Sequence, residues 1–105
     1  MISKTPQPPY YAVIFSSLRT EGDNGYCEMA EKMIELAKVQ DGFLGAESAR
    51  NEIGITVSYW KDAGSILKWR EHAEHSIARI YGREKWYTAF KVRIALVERD
   101  YGFER

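Results

Sequence analysis

The sequence predicts an α+β domain of the ferredoxin-like, split βαβ type, with elements in the order strand, helix, strand, strand, helix, strand. Three observations predict it. A helix-period apolar pattern between Tyr26 and Ala37 follows a run dense in aromatic and β-branched residues. Two short stretches, FLGAESAR and IGITVSYW, are separated only by Asn51-Glu52 and spell a hairpin. A second helical pattern through Ile66, Trp69 and Ala73 leads into a last alternating run, Phe90, Val92, Ile94 and Leu96. Strands in this order form one antiparallel sheet with both helices on one face. The other face must meet water or a second sheet, so a homodimer through the sheet face is expected, with a pocket between sheet and helices in each subunit.

Residues 1–9 hold all three prolines, Pro6, Pro8 and Pro9, which favour an extended arm, loose or laid across a partner. The domain proper spans 10–105. YYAVIFSS, Tyr10 to Ser17, reads as a buried strand ended by the polar run RTEGDNG. In the first helix Tyr26, Met29, Ala30, Met33, Ile34 and Ala37 share one face. Asp23 or Asn24 can cap its start, and Gln40-Asp41-Gly42 supplies the stop. Cys27 lies within this pattern and reads as packing. In the hairpin, Ile53, Ile55, Val57 and Tyr59 alternate with Gly54, Thr56 and Ser58. Asp62 can cap the second helix, whose stripe continues through Ile77 and Ile80 to Gly82, with a break near His72 to Glu74 where the stripe drifts. Trp86 to Arg99 forms the last strand, with Lys91, Arg93 and Ala95 opposite the apolar row.

The bulk numbers narrow the function classes. At 105 residues the chain is one domain of modest core, which gains from a partner. Fifteen basic side chains balance fifteen acidic ones, so neither nucleic acid nor an anionic membrane is expected as partner. No apolar run approaches the roughly 20 residues that span a bilayer, and MISKTPQPP lacks the apolar stretch of a signal peptide. One cysteine excludes an intrachain disulfide and a thiolate zinc cluster and suits a reducing cytosol, so a cytoplasmic protein is expected. Three Trp, seven Tyr and four Phe exceed what so small a core requires, and some should line a pocket or interface.

The segment WREHAEHSIAR carries both histidines, three residues apart. A metal wants a third ligand, and Glu71 and Glu74 point partly elsewhere, so no metal is expected. His75 is the imidazole best placed for proton transfer, against the alternative that one ring bonds a backbone carbonyl and the other meets water. Trp60, Trp69, His72 and Trp86 are the candidate walls of a planar-ligand pocket, although core packing explains tryptophans equally. Either Glu47 or Ser48 faces inward by alternation. A carboxylate among aromatic walls would have a raised pKa and could act as a base; otherwise Glu47 pairs with Arg50 or Arg93 across an interface.

With these stretches in place, QDGFLGAESAR, GITVSYWKD, ILKWREHAEHSIARIYGREKWY and VRIALVERDYGF together resemble the antibiotic biosynthesis monooxygenase (ABM) superfamily. The resemblance runs from about Tyr10 to Phe103 and is closest to a branch of small bacterial members without an assigned reaction. It implies a dimeric α+β barrel. Haem-degrading relatives use a first-strand asparagine, a second-helix tryptophan and a histidine ten residues after it. Trp69 fits, but ten positions on stands Arg79, which has no lone pair for iron, and Tyr10 to Ser17 holds no asparagine. Quinone-forming relatives place an asparagine four residues before a tryptophan that ends the third strand. Trp60 fits, and Thr56 stands in the asparagine's place, a weaker oxyanion donor.

The expected function is therefore a cofactor-independent monooxygenase acting on an aromatic or quinol-like small molecule, with His75, Trp69 and Glu47 as candidate catalytic residues and no cofactor required. The competing class is a non-enzymatic or stress-associated module that binds a small hydrophobic ligand in the same cavity. A haem-binding or haem-degrading protein is the third.

Overall fold

The register of one sheet decides which side chains can meet. In the computed structural model, which describes residues 2–75 and 85–105 and only the backbone of Glu74 and His75, the elements are β1 (Tyr10–Arg19), α1 (Tyr26–Lys38), β2 (Phe43–Arg50), β3 (Gly54–Trp60), α2 (Ala63–His75) and β4 (Tyr87–Val97). The strands stand in the order β2-β3-β1-β4, every neighbour antiparallel. This is the predicted α+β, ferredoxin-like arrangement.

Residues directly opposite each other in antiparallel strands share a face, so pairing sorts the side chains into two sets. Val13 pairs with Ser58 and Ile94, Phe15 with Thr56 and Val92, and Ser17 with Gly54 and Phe90. This set looks toward the helices. Ile14 pairs with Val57, Ala12 with Tyr59, and Glu47 with Val57, which puts these residues on the helix-free face. The apolar rows of β3 and β4 consequently lie on opposite faces of the sheet, a division that alternation within each strand could not reveal.

Local chemistry sets the helix ends. The Asp23 carboxylate accepts from the amides of Gly25 (3.1 Å) and Cys27 (3.2 Å), and Gly25, at φ 83°, turns the chain into α1. Asp62 caps α2 through Ser65 N–H (2.7 Å). Gly42, at φ 84°, starts the return to β2, and its backbone carbonyl accepts from Lys61 N–H (2.7 Å), tying the start of the hairpin to its end. The helices bury Ala37 and Ile66, while Trp60 at the end of β3 is 0% exposed.

Several local expectations change. Residue 27 follows Tyr26 by one step of about 100° around the helix, which takes Cys27 off the packed face to an exposed position. Hydrogen bonding to the Asp23 carboxylate pushes its thiol pKa up, away from a reactive thiolate. α2 runs unbroken past His72 to His75, while Ile77, Ile80 and Gly82 lie outside the described residues. β1 continues through Leu18 and Arg19 by an irregularity in its pairing with β4, and Ile53 belongs to the hairpin turn. Trp86 precedes β4 rather than joining it, and β4 ends at Val97.

The arm folds back on its own chain. Ser3 donates its hydroxyl to the Ala46 carbonyl (2.9 Å) and its amide to Glu47 Oε2 (2.9 Å), and Thr5 donates to the Tyr10 hydroxyl (3.0 Å). It thus crosses one end of the helix-free face, where Tyr10, 5% exposed, donates to Asp100 Oδ2 from the C-terminal segment.

Candidate functional site

Between the helices and the sheet lies a cavity of about 840 Å³. Its floor is the helix-side set of strand residues, including Phe15, Ser48, Thr56 and Ser58, and its roof includes Met33 from α1 and Trp69 from α2. The floor is a row of small hydroxyl and apolar side chains because Gly54, Thr56 and Ser58 alternate with the larger residues that face the other way. Volume on this scale is in the range that encloses a small organic molecule.

One wall is indole. Trp60 and Trp69 stack with ring centroids 6.1 Å apart and 23° between planes, and Phe43 meets Trp60 edge-on at 5.4 Å. Trp60 Nε1 donates to Ser58 Oγ (2.9 Å), which leaves the serine proton free to point elsewhere. Thr56, four residues before Trp60, faces the cavity as the strand period requires.

The opposite end is phenolic and cationic. Arg50 Nη2 donates to Ser17 Oγ (2.6 Å), and Ser17 is 2% exposed. The guanidinium groups of Arg19 and Arg50 lie 3.6 Å and 6.0 Å from the Tyr26 ring centroid. Tyr26 in turn meets Tyr87 edge-on at 5.8 Å, with their hydroxyls 3.4 Å apart. Burial, helped by that neighbouring hydroxyl, pushes the Tyr87 pKa well up, so the phenol stays protonated at neutral pH.

The residues picked from the sequence separate. Trp69 lines the cavity, and Trp60 backs it from the core. His72 stacks on Trp69 at 5.9 Å from an exposed position. Trp86 is buried behind Tyr26 at 6.3 Å, with its indole N–H on the Asn24 carbonyl (2.9 Å). The backbone of His75 belongs to α2, and its side chain lies outside the described residues, as does Arg79. Ser48, not Glu47, is the inward member of its pair. Glu47 lies on the helix-free face, where it accepts from the Tyr59 hydroxyl (2.5 Å) and Ser3 N–H. Those donors hold its carboxyl below the usual range, the reverse of the rise expected for a buried base.

Sequence reasoning missed Arg50, Ser17, Tyr26 and Tyr87 as site residues. The signal for Arg50 was present: whichever face takes Ser48 also takes Arg50, two residues on. Among the described residues, no three His, Cys, Asp or Glu side chains gather as a metal set. Nor, among them, is any helix long and apolar enough to cross a membrane.

The fold is shared with solved structures of low sequence identity. A solved candidate antibiotic biosynthesis monooxygenase from Nitrosomonas europaea superposes with a TM-score of 0.68 over 88% of this chain and 92% of its own, at 12% identity. PA3566 from Pseudomonas aeruginosa gives 0.67 over 91% and 99%, at 14% identity. No family model matches the sequence. The uncharacterized protein YqjZ of Bacillus subtilis (strain 168) is 53% identical over 105 residues, covering 98% of this chain and 92% of the relative, and the chain belongs to its family.

Proposed function

We propose that the protein is a cofactor-independent monooxygenase that holds an aromatic or quinol-like molecule between its sheet and helices. The observation that carries this is the cavity of about 840 Å³, with the stacked Trp60–Trp69 pair at one wall and hydroxyl side chains along its floor. In such chemistry a substrate methylene or quinol hydroxyl loses a proton, and the delocalised carbanion or phenolate passes electrons to molecular oxygen. One oxygen atom ends in the product carbonyl and the other in water. The protein contributes a shape that excludes water, aromatic surface that fixes the ring plane, and donors for the developing oxyanion. Ser58, whose oxygen already accepts from Trp60, and Thr56 are the hydroxyls suited to donate.

The functional unit is a homodimer formed through the helix-free face. Ile14, Ile55 and Val57 supply its apolar surface, and Ile55 is 43% exposed. Burying such a row against a second sheet is favourable at about 25 cal/mol per Å².

A second possibility has an observation of its own. Among the described residues that line the cavity there is no carboxylate and no imidazole, so the base for proton removal would have to come from elsewhere. A module that binds a small hydrophobic ligand without transforming it needs no base. Oxygen uptake with a panel of anthrones and quinols, wild type against Trp69→Phe, separates the two. Substrate-dependent uptake that falls in the variant supports catalysis. Binding without uptake across the panel supports the module.

A further inference from the structure

The end of the cavity opposite the indoles has a built cation. Arg50, Gly54 and Ser17 form one row across three strands, Arg50 paired with Gly54 and Gly54 with Ser17. The Arg50 side chain lies along this row. A Cβ on Gly54 would overlap its guanidinium, so glycine at this position is what lets the group rest flat on the sheet and reach Ser17 Oγ at 2.6 Å. Ser17 is 2% exposed, and its hydroxyl anchors one edge of the fork. Tyr26 and Tyr87, which line the same end, add two phenolic groups beside it, and Arg19 adds a second positive charge on the Tyr26 ring.

Among the described residues, what the guanidinium lacks is an anion. It has five N–H donors, and its hydrogen bond among the described residues is the one to Ser17. No carboxylate among the described residues pairs with it; Glu47, three positions earlier, is on the other face of the sheet. Arg19 Nη2 donates to the Gly22 and Asp23 carbonyls, while its Nε is buried without a hydrogen-bond partner. A fork of parallel N–H groups matches a carboxylate in both geometry and charge, and it is preorganised here by a glycine shelf and a serine anchor.

We infer that Arg50, seated on Gly54 and anchored by Ser17, is the anion-recognition point of the cavity, and that its ligand is an aromatic carboxylate whose ring system extends toward Phe15 and Trp69. This deepens the function proposed above and rests on the cavity being a ligand site.

The test uses two naphthalene probes of nearly equal shape, 2-naphthoate and its neutral methyl ester, titrated calorimetrically into the wild-type protein, Arg50→Met and Gly54→Ala. The wild type should bind the naphthoate about tenfold or more tighter than the ester, as a charge-assisted pair implies. Arg50→Met should abolish that preference, so that the variant binds naphthoate no tighter than the ester, and its exposed position makes the variant foldable. Gly54→Ala, by lifting the guanidinium from its shelf, should erode the same preference. Equal binding of the two probes to wild type, or a preference that survives in Arg50→Met, overturns the anion site while leaving the cavity as a ligand site. Binding of neither probe overturns the cavity as an aromatic-ligand site, and the anion site with it.

Discussion

Trp60 and Trp69 lie nearly parallel, 23° apart, so the indole that faces the cavity is positioned by one that is wholly buried. Trp60 is further fixed by its hydrogen bond to Ser58 and by the edge of Phe43. Truncating it removes a packed side chain and leaves a void, so Trp60→Ala should destabilise the fold by about 3–5 kcal/mol. Trp69 is half-buried, and Trp69→Phe should cost only about 1–2 kcal/mol while weakening aromatic ligands. Urea unfolding followed by circular dichroism distinguishes them; equal losses would mean that Trp69 is core rather than wall.

Gly42 and Gly25 share a left-handed backbone but not a setting. Both have φ near 84°, at 84° and 83°. A Cβ on Gly42 would overlap the Ser65 side chain in the first turn of α2, whereas nothing lies within 4 Å of one on Gly25. Gly25→Ala therefore meets only the left-handed penalty, about 1–2 kcal/mol. Gly42→Ala adds a collision between β2 and α2 and should cost more, about 3 kcal/mol or above. Thermal unfolding of the two variants side by side checks this, and similar shifts would show that Ser65 yields freely.

These contrasts indicate what the sequence could disclose. Periodicity placed all six elements because each amphipathic stretch reports its own geometry. It could not assign the two faces of each strand to the two sides of the sheet, since that depends on which strand becomes whose neighbour. Once β1 lies between β3 and β4, Val13 carries Ser58 and Ile94 to the helices, while Ile14 carries Val57 to the opposite side. Glu47 was picked for its charge inside an apolar strand, yet a single step of register separates it from the cavity. Arg50 shares Ser48's parity and becomes interesting only when Gly54 is seen beneath it. The family resemblance agrees with the fold read from periodicity; the cationic end comes from cross-strand geometry.

The helix-free face should be the dimer contact. Ile55 is 43% exposed there, so Ile55→Lys should leave the folded subunit intact. Burying a lysine in a sheet-to-sheet contact without a partner is costly, and the variant should sediment as a monomer where wild type sediments as a dimer. A wild-type monomer at micromolar concentration would remove the face-to-face arrangement.

Glu47 and Tyr59 give this same face a pH signature at both ends. The Tyr59 hydroxyl and the Ser3 amide lower the Glu47 pKa, so its stabilising contribution is present above the ordinary carboxylate range and is lost as pH falls through the depressed value. Tyr59 runs the other way: burial, then its hydrogen bond to Glu47, push the phenol up to about 12 from its ordinary value of 10.0. Between those values the unfolded chain releases a proton that the folded one keeps, so stability declines as pH rises across that window. Glu47→Gln should flatten the acid limb of a urea-midpoint profile, and Tyr59→Phe the alkaline limb. An acid limb in Glu47→Gln that overlays wild type would mean the carboxylate titrates normally, and the bond from Tyr59 would then contribute nothing measurable to holding the arm-covered end of the sheet.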